Sequence, residues 1–223
     1  MCGRFTIMLD VDDLKESMEL SSVPEDWRPR FNIAPTQPVA VVTDAQLRQV
    51  EWMRWGLIPS WAKDMEIGSR LINARSETIT EKPSFRAAFT RRRCIILADG
   101  FYEWLRSTDK KVPSIPYYFH RKDRKPFGFA GLWETWRNPA GEEIRSCTIL
   151  TTSANAVVRP VHDRMPVMLD GTDLWTWILP VTPEQHLTLL KAYPDDALET
   201  HIVSRMVNSP AWDIPECASP SVD

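Results

Sequence analysis

No apolar run in this chain approaches the roughly 20 residues that a helix needs to cross a bilayer, so no membrane span is expected. The start of the chain lacks the basic and apolar regions of a secretory signal, and the default residence is the cytoplasm. No C-x-x-C pair occurs among Cys2, Cys94, Cys147 and Cys217, which excludes a zinc ribbon and a thioredoxin-type redox motif. No second histidine stands at metal-ligand spacing from His162, so neither a metal nor a cofactor is expected. An excess of positive charge is missing too. Lys and Arg number 27 against 30 Asp and Glu, a net −3, and no global basic field results. Internal repeats and low-complexity linkers are absent, and 223 residues suit a single domain, 1–223, with its own core.

What is present is unevenly placed. Arginines cluster locally at Arg86, Arg91, Arg92 and Arg93, with Arg4, Arg75 and Arg164 standing singly. The run at 91–93 reads as a helix end, where cations suit the dipole. The 10 tryptophans and 18 prolines are both high, and several Trp residues sit beside Gly or Pro, as core plugs or as stacking platforms. Cys94 and Cys147 lie in apolar runs and read as small buried residues. Cys217 lies in a Pro-flanked tail, expected to be loose from about 210.

Periodicity predicts helices over 10–20, 84–92, 153–158, 174–179 and 183–191. Strands are expected at 39–42 and 47–55, as a hairpin around Asp44, then at 94–98, 101–105, 117–120, 127–133, 144–151 and 200–204. Residues 29–38 read as a Pro-studded loop and 71–75 as a short strand or loop. No regular crossover helices separate the strands. The fold class is therefore α+β, with a mostly antiparallel, barrel-like sheet flanked by short helices.

The chemistry starts at Met1-Cys2-Gly3-Arg4-Phe5. Methionine is commonly removed before a small residue, and the chain would then open with an amine and a thiol on Cys2. The amine, with a reference pKa of ~7.7–8.0, condenses with aldehydes, and the thiol can add to the imine and close a five-membered ring. An N-terminal nucleophile can also attack acyl groups. Glu103 sits between Tyr102 and Trp104, where desolvation raises a carboxyl pKa and suits proton transfer near neutrality; it also fits an outward strand position. His162-Asp163 suits a proton shuttle or a structural loop. Asn73 can donate to an oxyanion or cap a turn.

Six stretches stand in order: Met1-Cys2-Gly3-Arg4-Phe5, Phe31-Asn32-Ile33-Ala34-Pro35, Trp55-Gly56-Leu57-Ile58-Pro59-Ser60-Trp61, Ile72-Asn73-Ala74-Arg75-Ser76-Glu77, Ala98-Asp99-Gly100-Phe101-Tyr102-Glu103-Trp104 and His162-Asp163-Arg164-Met165-Pro166. Together they resemble the SRAP family, the SOS-response-associated peptidases or abasic-site processing proteins. The resemblance is strongest over 2–170. It implies single-stranded DNA bearing abasic sites as partner, with association to the nucleoid when DNA is bound. It implies that Cys2 joins the ring-opened sugar aldehyde in a thiazolidine. Asn73 would position the amine and sugar, and Glu103 and His162 would move protons. Arg4, Arg75 and Arg164 would bind phosphates, while Asn32, Pro35 and Trp61 would shape the groove. Some relatives carry a second tryptophan where Ala62 stands here. The peptidase name fits removal of Met1, by the protein itself or otherwise, and strand cleavage at the lesion is a further expectation. Two other classes compete: an N-terminal-nucleophile hydrolase of small amides, and a nucleic-acid-binding module without chemistry.

Overall fold

A computed structural model describes residues 2–109 and 111–221. The expected removal of Met1 concerns a residue outside that range. The strands are β1 (Phe5–Ile7), β2 (Arg30–Ile33), β3 (Pro38–Val42), β4 (Val50–Trp55), β5 (Asn73–Arg75), β6 (Arg93–Ala98), β7 (Gly100–Leu105), β8 (Ile115–Arg121), β9 (Phe127–Arg137), β10 (Glu143–Ser153), β11 (Arg164–Pro166), β12 (Met168–Leu169) and β13 (Leu198–Ile202). The helices are short: α1 (Val11–Ser17), α2 (Arg86–Arg91), α3 (Gly171–Thr176) and α4 (Pro183–Thr188).

Pairing closes a barrel. β3 pairs with β4 and β6, β6 with β9, β9 with β10, and β10 with β4, so a five-strand circuit leaves no open edge within it. All these pairings are antiparallel except β10–β4. A second sheet, in the order β13–β8–β7–β1–β2, packs against the barrel. Phe5 is the plug between the layers. Its ring meets Trp55 edge-on at 5.1 Å and Phe129 at 5.5 Å, and it is fully buried. Truncating such a side chain costs ~3–5 kcal/mol.

Local chemistry explains the ends of the elements. Asp10 accepts the Asp13 N–H at 3.0 Å and caps α1. Thr182 and Gln185 form a capping box on α4, with Pro183 in its first turn. Asp44 accepts N–H groups from Gln46 and Leu47 and turns the β3–β4 hairpin. Gly100 is obligatory for another reason. A Cβ there would lie 2.1 Å from the Tyr118 hydroxyl, which crosses β7 to reach Thr6.

The α+β, barrel-like reading holds, and three local expectations are corrected. Residues 29–38 contain β2, which forms because β1 offers it a partner at Phe5↔Ile33. No helix forms over 153–158; β10 runs through Ser153 and the chain then turns, with Val158 N–H on Asn155 Oδ1. The tail beyond 210 is docked, not loose. Cys217 is fully buried in a small cluster with Tyr102, Tyr118, Val203 and Val207. Asp213 accepts N–H groups from Phe31 and Asn32 and pairs with Arg30. Residues 205–217 therefore strap the outer face of β2.

Candidate active site

Three pairings converge on one end of the molecule. β5 and β11 both join the C-terminal half of β10, with Asn73↔Ile149 and Ser153↔Arg164. This brings Asn73 and the loop carrying His162 to the same strand. β1 runs antiparallel to β7 with Phe5↔Phe101, and the Tyr102 N–H on Arg4 O at 3.0 Å carries that register toward Cys2 and Glu103.

Cys2 is fully buried. Its carbonyl accepts the Asn73 Nδ2–H at 2.8 Å, and its thiol points at Arg4 O, 3.7 Å away. Burial pushes the thiol pKa well up, and the charge of nearby Glu103 pushes it further. The thiol is therefore neutral at physiological pH, and any nucleophilic use of it needs a proton acceptor. Glu103 is only 3% exposed on β7, opposite Tyr117. Burial raises its pKa to about 7, and Asp163 adds to the rise while Arg106 opposes it. The outward strand position is thus excluded. Asn73 Oδ1 is buried without a hydrogen-bond partner among the described residues, an acceptor aimed from the residue that already holds Cys2.

His162 is half-buried at the end of a turn anchored by its own N–H on Val158 O. Burial lowers its pKa, with Asp163 opposing. The neutral ring accepts the Arg164 N–H at Nδ1 (3.0 Å), which leaves the proton on Nε2. Asp163 Oδ1, 2.9 Å from the same Nδ1, is the partner of the protonated form.

The residues expected to bind DNA divide into two sets. Arg4 is held: NH1 donates to Asn32 Oδ1 at 2.7 Å and Val207 O at 2.6 Å, and NH2 to Asn208 O at 3.1 Å. Among the described residues, two of its five N–H groups have no partner. Asn32 is fully buried and donates to the carbonyls of Val207, Ser209 and Trp212, so its amide ties β2 to the strap. Arg164 grips Glu77 with both terminal nitrogens, at 2.9 Å for NH2, and also donates to Thr151 O. By contrast Arg75 and Trp61 are exposed, Trp61 by 59%. Pro35 is half-buried in the turn between β2 and β3. Ala62 turns its carbonyl to the Trp136 indole at 2.8 Å.

Arg106 was not among the expected residues. It is exposed just past β7, and its charge reaches both Glu103 and His162. Its signal was available: a cation three residues beyond a carboxylate on a strand about to end. Asp213 had no comparable signal. The arginine run at 91–93 is a helix end, as expected, with Arg93 donating to Phe89 O and Thr90 O. Among the described residues no group of three His, Cys, Asp or Glu side chains is arranged to hold a metal.

A closed barrel thus carries a buried cysteine at position 2, an amide on its carbonyl and a buried carboxyl whose charge reaches its thiol. The chain belongs to the SOS response associated peptidase (SRAP) family, whose model matches residues 1–210. It is 42% identical to abasic site processing protein YoqW of Bacillus subtilis over 221 residues, 97% of this chain and 98% of that protein. It is 30% identical to abasic site processing protein HMCES of Rattus norvegicus over 271 aligned residues, 99% of this chain and 76% of that one. A crystal structure from Bacteroides thetaiotaomicron has the same fold, with a TM-score of 0.88 at 24% identity, covering 99% of this chain and 100% of the other. One from Bordetella bronchiseptica reaches 0.77 at 28% identity, covering 91% and 100%.

Proposed function

We propose that this protein processes abasic sites in single-stranded DNA by joining Cys2 to the ring-opened sugar in a thiazolidine. The observation that carries the reading is the meeting at Cys2 of an amide on its carbonyl and a buried carboxyl near its thiol. The names of YoqW and HMCES support the lesion as target.

Removal of Met1 frees the Cys2 amine, and Asn73 Oδ1 is the acceptor that would orient it. Opening the cyclic sugar needs one proton to leave the C1′ hydroxyl and one to reach the ring oxygen. Glu103, with a pKa of about 7, is present in both forms near neutrality and serves either transfer. His162 supplies the second group through Nε2–H. The amine then adds to the aldehyde carbon and water leaves, giving an imine. The sulfur adds to the imine carbon, the thiol proton passes through Glu103 to the nitrogen, and the ring closes. Arg75, Arg4 and Arg164 take flanking phosphates, and Pro35, Asn32 and Trp61 shape the groove. Self-removal of Met1 and cleavage of the strand would draw on the same proton-transfer pair. The cytoplasm, at the nucleoid, is where such a substrate arises.

The test is a denaturing gel and intact mass after incubation with a uracil-containing single strand treated with uracil glycosylase. Wild type should form a heat-stable adduct lacking Met1. Cys2→Ser should lose it, though borohydride traps the imine, and Cys2→Ala should form none. A stable adduct with Cys2→Ala would overturn the reading.

A further inference from the structure

A cavity of about 290 Å³ opens on the face formed by β2, β3 and β4, lined by Asp26, Arg28, Arg30, Pro38 and Trp52. Its wall is a braced aromatic. Trp52 lies parallel to Trp27, with ring centroids 5.7 Å apart and planes 8° from parallel. Each indole N–H is tied down, Trp52 to Asp26 Oδ1 at 2.8 Å and Trp27 to Leu9 O at 3.1 Å. A ring immobilised in this way loses little entropy when something stacks on it. Pro38 offers an apolar surface in the same cavity.

Arg28 and Arg30 are balanced in charge by Asp26 and Asp213, but both carboxylates are engaged: Asp26 accepts the Trp52 indole N–H and the strap's Asp213 pairs with Arg30. Arg30 donates through Nε to Asp213 and through NH2 to Gln37 Oε1, and among the described residues NH1 has no hydrogen-bond partner. Arg28 is exposed. The cavity lies close in the chain to Pro35, one of the residues proposed to shape the groove. Pro38 opens β3 three residues after Pro35, a span of at most ~11 Å of extended chain.

We infer that this cavity is a nucleotide subsite that takes a base, with its phosphate, from the arm of the DNA strand flanking the lesion. The base stacks on Trp52 and the phosphate meets Arg28 and Arg30. The inference rests on the single-strand reading above.

The test uses full-length protein and oligothymidylates carrying a central tetrahydrofuran, with short or long arms, read by fluorescence anisotropy. Wild type should bind the long-armed strand about tenfold more tightly than the short-armed one, as one stacked base provides. Arg28→Glu and Trp52→Leu should bind the two alike. If Trp52→Leu fails to fold, the surface variant Arg28→Glu decides. Retention of the wild-type ratio in Arg28→Glu, or no length preference in wild type, would overturn the subsite. So would free thymidine 5′-monophosphate binding as tightly as the long arm. A wild type that cross-links abasic DNA but ignores arm length removes the subsite alone. One that neither binds nor cross-links removes the proposed function.

Discussion

Asp99 and Glu103 stand four residues apart at the two ends of one stretch of chain, and both are buried carboxyls. Burial raises both, Asp99 to about 6 and Glu103 to about 7. Their surroundings differ. Asp99 takes the Thr6 hydroxyl on one oxygen and the Met8 N–H on the other, and Thr6 in turn meets Tyr118 at 2.8 Å. That carboxyl staples β1 to the start of β7. The charge of Glu103 reaches the Cys2 thiol, and Arg106 and Asp163 pull the carboxyl's pKa in opposite directions. Desolvation alone does not distinguish a fastener from a proton carrier; what the charge faces does.

The largest expected effect separates the two directly. Glu103→Gln should slow cross-linking by about 10²–10⁴ and remove the limb of the rate profile near pH 7. The same substitution should stabilise the fold at high pH. Below the ordinary carboxyl value of 4.5 the group is neutral folded and unfolded. As pH rises toward about 7 the unfolded state ionises first, so wild type loses stability across that window. The loss amounts to about 3 kcal/mol. Denaturant titrations at pH 4 and pH 8 should therefore match for the two proteins at the lower pH and favour the variant at the higher. A variant no more stable at pH 8 would mean that Glu103 is not a strained acid.

Asp99→Ala should show its cost at pH 4, where the carboxyl's own raised pKa carries little penalty. It strands the Met8 N–H and takes one of three partners from the Thr6 hydroxyl, which costs ~1–3 kcal/mol. Cross-linking should keep its limb near pH 7, since Glu103 is untouched. Loss of that limb would merge the two carboxyls into one coupled unit and erase the contrast.

The same contrast marks how far the chain could be read before it was folded. Asp99 and Glu103 are both visible in the run Ala98–Trp104, and nothing in that run says which one is fastened. The hairpin at Asp44, α2 and most barrel strands follow from period and turn chemistry, because their partners are close in sequence. β1 and β2 are three and four residues long and form through remote partners, β1 on β7 and β2 on β1, so no local pattern exposes them. Barrel closure depends on β10 meeting β4 in parallel, about 90 residues apart in sequence, which periodicity does not encode. The site residues were legible as motifs. Their partners were not: Arg4 is held by Val207 and Arg164 by Glu77, both remote in the chain.

A smaller effect is expected at His162. If the neutral ring, with its proton on Nε2, serves the sugar as proposed, microscopic reversibility makes it serve both directions. His162→Ala should slow formation and release of the adduct alike, by about tenfold, and leave their ratio unchanged. A chase of preformed adduct with excess unlabelled abasic strand measures this. Exchange at the wild-type rate would make His162 a prop for the loop before Pro166, a fastener like Asp99.

The smallest effect concerns the arginines, where the contrast between held and open groups recurs. If Arg4, Arg75 and Arg164 each engage a phosphate, the logarithm of affinity should fall with the logarithm of salt at a slope of about −2, from ~0.7 per contact. The three should not contribute equally. Arg75 is exposed, and a phosphate releases its counterions directly. Arg164 is already paired with Glu77, whose carboxyl pKa its hydrogen bond holds down. A phosphate there must share or displace that carboxylate, and fewer counterions are released. Arg75→Ala should then flatten the slope by about 0.7, and Arg164→Ala by less. Glu77→Gln should recover the difference, tightening binding at low salt and restoring a full contact at Arg164. Equal slopes from Arg75→Ala and Arg164→Ala, with no gain from Glu77→Gln, would show that the ion pair opens freely when the strand arrives.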